Sequence, residues 1–252
     1  MSSRLLPGYR VKVARKSNYD HWQGGPAYHE GAKCTKCKRA LLLLWDFNAK
    51  DPRFVVDGRP LFKPLKRLPL YYCWTCVSDI DYRVVAPDRI EVLKMEGRRQ
   101  GKDFPYKNFP LEFPKQPIVL QRLSTLPQAI KKSLGTRMFD KVPAPANKLL
   151  SHWLGHPVLY GSNIWWHQFG GVPWLIQGQE SIVCPRSECS YGRSGQPMKV
   201  LATVINDPQA GLPMVQSMED LAENKGHANH FVQVVYHICP QCLTIHAGNR
   251  CD

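Results

Sequence analysis

The cysteines constrain this chain more than any other feature, because eight of the nine fall into four close pairs. Each half of the chain holds a first pair, then an apolar run, then a second pair. The first half contains Cys34, Cys37, Cys73 and Cys76, and the second contains Cys184, Cys189, Cys239 and Cys242. This order predicts one thiolate-rich site in each half.

Other short motifs recur in the same places around these pairs. Gly24-Gly25-Pro26 precedes the first pair in one half, and Gly170-Gly171-Val172-Pro173 precedes it in the other. Apolar runs at 40–48 and 200–206 follow. Self-similarity of this kind indicates an internal duplication. We therefore expect a pseudo-symmetric α+β fold, dominated by β-structure, in which each half is clipped by a structural zinc site.

Two residues between cysteines let both sulfurs reach one tetrahedral Zn²⁺ ion, and two such pairs close a four-thiolate site. The pairs are separated by 35 residues in the first half and 49 in the second. Compact zinc ribbons have gaps of about 15–20 residues. We therefore expect two structural zinc ions that hold a sheet together, with His237 or His246 as an alternative ligand in the second site and Cys251 as a free thiol.

Competing chemistries for the cysteines fit the sequence less well. Disulfides require an oxidising compartment, and residues 1–10 lack the apolar core of a signal peptide. A deaminase-type zinc site requires Pro-Cys-x-x-Cys after His-x-Glu, and no proline precedes a Cys-x-x-Cys pair. The longest apolar run, 40–45, is too short to span a membrane. We expect a cytoplasmic protein with no membrane partner.

Positive charge is concentrated in one part of the chain. The net charge is +14, made up of +16 over residues 1–150 and −2 over residues 151–252. Such asymmetry indicates association with an acidic surface or a polyanion. The candidate partner-binding residues are the clustered cations Arg98, Arg99, Lys102, Lys131 and Lys132.

Composition and periodicity divide the chain into three segments. Residues 1–86 form the first repeat, 87–150 a basic, proline-rich connection, and 151–252 the second repeat, all within one globular unit. Strands are predicted at 4–15, 40–48, 53–56, 69–72, 80–85, 118–123, 164–166, 174–177, 200–205 and 231–238. Helices are predicted at 124–134, 146–154 and 218–224.

No familiar catalytic motif is present. The sequence lacks a phosphate-binding loop, a Gly-x-Ser-x-Gly elbow, a His-Glu-x-x-His motif and paired carboxylates. The tryptophan- and histidine-rich stretches at 151–157 and 164–167 are compatible with a ligand pocket or with core packing, and we favour core packing. We therefore predict a protein that is not an enzyme, while a small-molecule enzyme with a site assembled from distant residues stays open.

Residues 166–177, Cys184-Pro185 and Gln196-Pro197-Met198 before an apolar strand resemble the YwqG family of bacterial proteins. The similarity extends over roughly 150–248, and in the first half it is limited to residues 23–26 and the cysteine pairs. The resemblance implies a pseudo-symmetric, β-rich α+β fold. It also implies a role as an immunity protein, because relatives are often encoded beside secreted polymorphic toxins.

Two functions follow from these observations. The first is a non-enzymatic, zinc-stabilised binding protein that neutralises a cognate secreted bacterial toxin by direct contact. The alternative is a nucleic-acid-binding zinc protein that uses the basic first half and connection to contact phosphates.

Overall fold

The computed structural model describes residues 6–56, 58–76, 79–97, 109–123, 166–171, 173, 175, 180–214 and 232–251. Within them the chain forms thirteen strands and one four-residue helix, which confirms the β-dominated part of the predicted fold class. The elements are β1 Tyr9–Val13, β2 Trp22–Gln23, β3 Leu42–Asn48, β4 Val55–Val56, β5 Arg59–Pro60, β6 Arg67–Tyr72, β7 Ile80–Ala86, β8 Arg89–Met95, β9 Gln116–Arg122, β10 Gln168–Phe169, α1 Ser190–Arg193, β11 Lys199–Ile205, β12 Val232–Ile238 and β13 Ile245–Cys251.

Eleven strands form one sheet in the order β6-β3-β2-β9-β1-β10-β11-β12-β13-β7-β8, and β4 pairs with β5 as a separate hairpin. In the middle of the sheet β1 and β9 run antiparallel, with Val11 opposite Leu120. The other edge of β1 pairs with β10, and the other edge of β9 pairs with β2. Strands that are far apart in sequence therefore make the central contacts of the sheet.

The sheet curls so that its two ends meet. Tyr82 in β7 donates its hydroxyl hydrogen to the Pro69 carbonyl at 2.9 Å and accepts the Tyr71 N–H at 2.8 Å. Pro69 and Tyr71 belong to β6, the strand at the opposite end of the sheet order. Because Tyr82 is fully buried, these two hydrogen bonds are shielded from water and join the sheet ends.

A cluster of aromatic side chains fills the interior of the curled sheet. Phe47 in β3 lies 4.4 Å, between ring centroids, from Phe169 in β10. Phe54 contacts the same Phe169 ring at 4.9 Å, and Phe62 packs on Phe54 at 5.5 Å. All four rings are buried, and full burial of one such side chain is worth about 1.5–3 kcal/mol. The core therefore joins residues from both halves of the sequence.

The two Gly-Gly turns sit where the chain passes close to another backbone. Gly24 and Gly170 have φ angles of +67° each, in the left-handed region that glycine tolerates. A Cβ atom on Gly24 would lie 2.3 Å from the Pro114 carbonyl oxygen, and one on Gly170 would lie 2.5 Å from the Pro7 oxygen. Only glycine allows these close approaches, which set the short strands β2 and β10 against the residues preceding β9 and β1.

The predicted strands within the described residues are confirmed, each at least in part. The three predicted helices and the strands expected at 164–166 and 174–177 lie outside the described residues or mostly so. All three predicted segments contribute strands to the same sheet, and the division of the chain between them stays a prediction. In the described part, no helix has the length and apolar character needed to cross a membrane.

Candidate metal centres

The first group of four cysteines lies where two turns meet. Cys34 and Cys37 belong to the turn that precedes β3, and Cys73 and Cys76 belong to the connection between β6 and β7. Their sulfur atoms all lie within 4.8 Å of one another. The Sγ atoms of Cys34 and Cys76 are 3.6 Å apart, and those of Cys37 and Cys73 are 3.8 Å apart. The fold thus brings together the four predicted ligands of the first half.

The second group has the same composition. Cys184 and Cys189 precede β11, and Cys239 and Cys242 lie in the turn between β12 and β13. All four sulfurs again lie within 4.8 Å of one another. The Cys184 and Cys242 Sγ atoms are 3.5 Å apart, and those of Cys189 and Cys239 are 3.6 Å apart. This group unites the four cysteines predicted for the second half.

These sulfur–sulfur distances fit a tetrahedral metal site. A Zn–S bond of about 2.3 Å places the corners of a four-sulfur tetrahedron about 3.8 Å apart. The four distances of 3.5–3.8 Å match that edge, whereas a disulfide would require about 2.05 Å. All eight cysteines are free thiols. Two groups of cysteines are therefore close enough to bind metal ions, with sulfur as the donor.

Two of the three Cys-x-x-Cys turns, Cys34–Cys37 and Cys239–Cys242, have the same local conformation. Lys38 follows Cys37 with φ +64°, and Leu243 follows Cys242 with φ +57°. The Lys38 N–H donates to the Cys34 carbonyl, and the Leu243 N–H donates to the Cys239 carbonyl, both at 3.0 Å. In each turn, these left-handed residues bend the chain so that both sulfurs point to one side.

Backbone groups prepare individual sulfurs for the thiolate form. Burial raises the pKa of Cys34, but N–H donors of Cys37 and Lys36, each 3.3 Å from its sulfur, outweigh burial and lower that pKa overall. Burial likewise raises the pKa of Cys242, and hydrogen bonds from Thr244 lower it to about 7. One thiol in each group is therefore disposed to ionise first, which is the form that binds a metal.

Cys76 in the first group and Cys184 in the second resist ionisation unless a cation is present. Burial and the neighbouring Cys34 sulfur raise the pKa of Cys76 to about 12. Burial raises the pKa of Cys184 to about 11, with the nearby Cys242 sulfur adding to the effect. A bound divalent cation would reverse this balance, because a coordinated thiol loses its proton.

The structure does not place the predicted alternative ligand, His237 or His246, in the second cysteine group. Among the described residues, the second group consists of four sulfurs and includes no histidine nitrogen. His237 and His246 instead face each other, with ring centroids 5.8 Å apart. The side chain of Cys251, expected to be a free thiol, lies outside the described atoms.

The predicted partner-binding cations Arg98, Arg99, Lys102, Lys131 and Lys132 lie outside the described residues. Sequence reasoning missed a second set of cations on the first cysteine turn. Its four exposed members are Lys33, Lys36, Lys38 and Arg39. They were visible in the sequence as the run Lys33-Cys34-Thr35-Lys36-Cys37-Lys38-Arg39. Backbone hydrogen bonds hold the turn from which these side chains project; we call this surface the basic knuckle.

A second feature of the first half is a buried polar network around Asp51. The Asn48 N–H donates to His21 Nδ1 at 3.1 Å, so the ring proton lies on Nε2, which donates to Asp51 at 2.7 Å. Arg53 contacts the same carboxylate at 2.6 Å. Burial raises the pKa of Asp51, but the hydrogen bonds from His21 and Arg53 outweigh burial and lower it to about 2.

His167, from the histidine- and tryptophan-rich region of the sequence, is a buried core residue. Its Nδ1 atom accepts the Ile205 N–H at 3.2 Å, and the Trp45 ring packs against it at 5.6 Å between centroids. Its Nε2 atom is 3.4 Å from Asp207. Packing in the core, as expected, explains the buried position of the His167 side chain.

Comparison with protein-family models, with curated proteins and with solved structures finds no match. A functional proposal for this chain therefore depends on the geometry and chemistry of its own residues.

Proposed function

We propose that each cysteine group holds one structural Zn²⁺ ion. The match between the 3.5–3.8 Å sulfur–sulfur distances and a tetrahedral edge of about 3.8 Å supports this assignment. Four thiolates leave no open coordination position, which is typical of structural sites rather than of catalytic ones. Each ion would connect the segment before one strand with the turn between two other strands. It would thereby supply stability that a larger hydrophobic core would otherwise have to provide.

We further propose that the fold arose by internal duplication, with β1 and β9 as corresponding first strands. Equivalent backbone contacts support this correspondence. Gly25 N–H donates to the Phe113 carbonyl and Gly171 N–H donates to the Leu6 carbonyl, both at 2.7 Å. Phe113 and Leu6 each precede a proline and then a first strand.

The histidines next to the Gly-Gly turns support the same correspondence. His21 accepts the N–H of Asn48 at the end of β3, and His167 accepts the N–H of Ile205 at the end of β11. Each ring also faces an aspartate that follows the N–H donor by two or three residues: Asp51 follows Asn48, and Asp207 follows Ile205. In this scheme the first strand of each copy lies beside the second strand of the other copy.

The function that fits this scaffold best is that of a non-enzymatic binding protein. We propose that it acts as an immunity protein, neutralising a cognate secreted bacterial toxin by covering a functional surface of that toxin. The observation that carries the proposal is the pairing of two closed four-thiolate groups with an exposed basic knuckle. The resemblance to the YwqG family supplies the class of partner.

The basic knuckle provides the contact surface in this proposal. Its cations project from a turn in which the Lys38 ammonium also donates to the Thr35 carbonyl at 2.8 Å. A cationic surface accelerates encounter with an acidic partner surface and disfavours basic partners. The toxin would therefore present carboxylates to this part of the molecule.

Co-expression with candidate toxins encoded by neighbouring genes tests the proposal. We expect protection of the cells and co-purification of the two proteins. Reversing the knuckle charge with Lys36→Glu and Lys38→Glu should slow association on the order of tenfold. The matched control is Lys63→Glu with Lys66→Glu, which makes the same change in net charge at exposed positions elsewhere. Cells that die despite the wild-type chain, with no complex formed, would refute the immunity function.

The same cations favour nucleic-acid binding as a second candidate. Lysines and arginines that contact phosphates displace bound counterions, so the affinity would fall steeply with salt. A gel shift at low ionic strength distinguishes the two functions. Binding that weakens with salt and with the knuckle double variant supports the nucleic-acid function, and a complete lack of binding at low salt excludes it.

A further inference from the structure

Two histidines outside the cysteine groups lie directly opposite each other on neighbouring strands. The register of β12 and β13 pairs His237 with His246, and the register of β13 and β7 pairs His246 with Asp81. All three are buried, with exposed fractions of 2%, 5% and 7%. Residues paired in this way project to the same face of the sheet, where their side chains reach one another.

Three nitrogen atoms of this pair have no hydrogen-bond partner in the described part of the chain. They are Nδ1 and Nε2 of His237 and Nε2 of His246. His246 Nδ1 lies 3.0 Å from Asp81 Oδ1. Because the carboxylate only accepts, Nδ1 carries the proton and Nε2 keeps a free lone pair. Buried polar atoms normally have partners, so the pair is arranged for a ligand that accepts lone pairs.

The charges around the histidines favour a cation. Asp79 and Arg250 lie close enough to the pair to interact with it electrostatically. Arg250 forms ion pairs with Glu180 and, at 3.8 Å, with Asp79. Asp81 lies opposite Lys94 across β7 and β8, and Glu96 interacts with His246, so four carboxylates stand against two cationic side chains, Arg250 and Lys94. This excess of negative charge would repel an anionic ligand and would stabilise a divalent cation.

We propose that His237 and His246 bind a divalent transition-metal ion of the zinc and nickel class, with Asp81 as the positioning residue. Imidazole nitrogen is a preferred ligand of these ions. A histidine that binds a metal commonly donates its other N–H to a carboxylate, as His246 does here.

The ring spacing fits one shared ion. With a metal–nitrogen bond of about 2.0–2.1 Å, each ring centroid lies about 3.2 Å from the metal. Two rings on one ion are then about 5.2 Å apart at a tetrahedral angle and about 6.4 Å apart in a linear arrangement. The observed 5.8 Å lies between these limits. Unlike the four thiolates of a cysteine group, two imidazoles do not complete the coordination of such an ion.

Nickel is a suitable probe, because elemental analysis counts it separately from zinc. The chain is first loaded with two equivalents of zinc, enough for the two cysteine groups only, and then dialysed against micromolar Ni²⁺. We expect one nickel ion per wild-type chain, with the zinc content unchanged. His237→Gln with His246→Gln should remove the nickel, and Asp81→Asn should weaken its binding about 10- to 100-fold. Wild-type protein without nickel, or nickel retained by the double variant, would overturn the proposal.

His29→Gln is the matched control. His29 is also buried, and its Nε2 atom also lacks a partner among the described residues, but its other nitrogen bonds to Tyr71 at 2.9 Å. This variant should bind nickel as the wild type does, and an equal loss would contradict the assignment. If the double variant does not fold, the wild-type spectrum decides. Weak d–d bands alone support nitrogen and oxygen ligands, whereas a sulfur-to-nickel charge-transfer band would place nickel at the cysteines and refute the proposal.

Discussion

The close contact at the first Gly-Gly turn can be tested with a single methyl group. Gly24 and Gly195 have almost the same backbone conformation, with φ angles of +67° and +68°. A Cβ atom on Gly195 would meet nothing within 4 Å, whereas one on Gly24 would lie 2.3 Å from the Pro114 carbonyl oxygen. Gly195→Ala therefore reports backbone strain alone, and Gly24→Ala reports the same strain plus a steric clash.

The difference between the two variants gives the size of the clash. A left-handed conformation costs a residue with a side chain about 1–2 kcal/mol, and this term is common to both. Next to Gly24 the atoms that must move are backbone, from Phe113 and Pro114 just before β9. Forcing an extra methyl group into such a packed position costs about 1–3 kcal/mol more.

Thermal unfolding of the zinc-loaded variants is the direct assay. For a protein of this size, each 1 kcal/mol changes Tm by about 2–4 °C. We therefore expect Gly24→Ala to melt roughly 2–12 °C below Gly195→Ala. Equal melting temperatures would show that the turn and the segment just before β9 are not in contact, and the central part of the sheet would need a different arrangement.

Three further predictions concern the metal groups and the buried carboxylate. Cys73→Ser should reduce bound zinc from two ions to one, and Cys239→Ser should do the same at the other group, as elemental analysis would show. Removal of both ions by a strong chelator under reducing conditions should lower Tm, because structural zinc contributes folding free energy. Asp51→Asn should cost about 2 kcal/mol at neutral pH, since the native pKa of about 2 lies below the unfolded value of about 3.9. That difference should disappear in denaturation curves as the pH falls from about 4 to 2, and a constant difference would contradict it.

The sequence was sufficient to predict the cysteine groups because their chemistry is local and directional. A Cys-x-x-Cys turn places two sulfurs on one side without help from the rest of the fold. The buried strand at 40–48 was also predictable, because a bounded apolar run of that length suits a central strand. These features specify which cysteines come together and which residues face the core.

The strands β8 and β13 were missed for different physical reasons. β13 contains Ala247, Gly248 and Asn249, which have low strand propensity. It forms because β12 and β7 flank it, and its contact between His246 and Asp81 spans 165 positions in sequence. β8 follows β7 through a tight turn at Pro87 and Asp88. Its many polar residues are also typical of a surface loop, so the sequence alone does not identify it as a strand.

The histidine pair could not be predicted as a pair from the sequence for a related reason. His237 and His246 are nine positions apart, with a cysteine turn between them. Their opposition depends on the length of that turn and on the register of two strands. A shift of one residue would move one ring to the opposite face of the sheet. The sequence therefore indicated the ligand types but not their alignment.

The central position of β1 and β9 determines how the chain responds to cleavage. A cut between residues 97 and 109 separates β1–β8 from β9–β13 but leaves every strand pairing in place. Among the described strands, four pairings hold the two fragments together: β1 with β9, β1 with β10, β2 with β9, and β7 with β13. We expect such fragments to stay associated and, when produced separately, to reconstitute the protein by complementation, because each supplies strands that the other lacks.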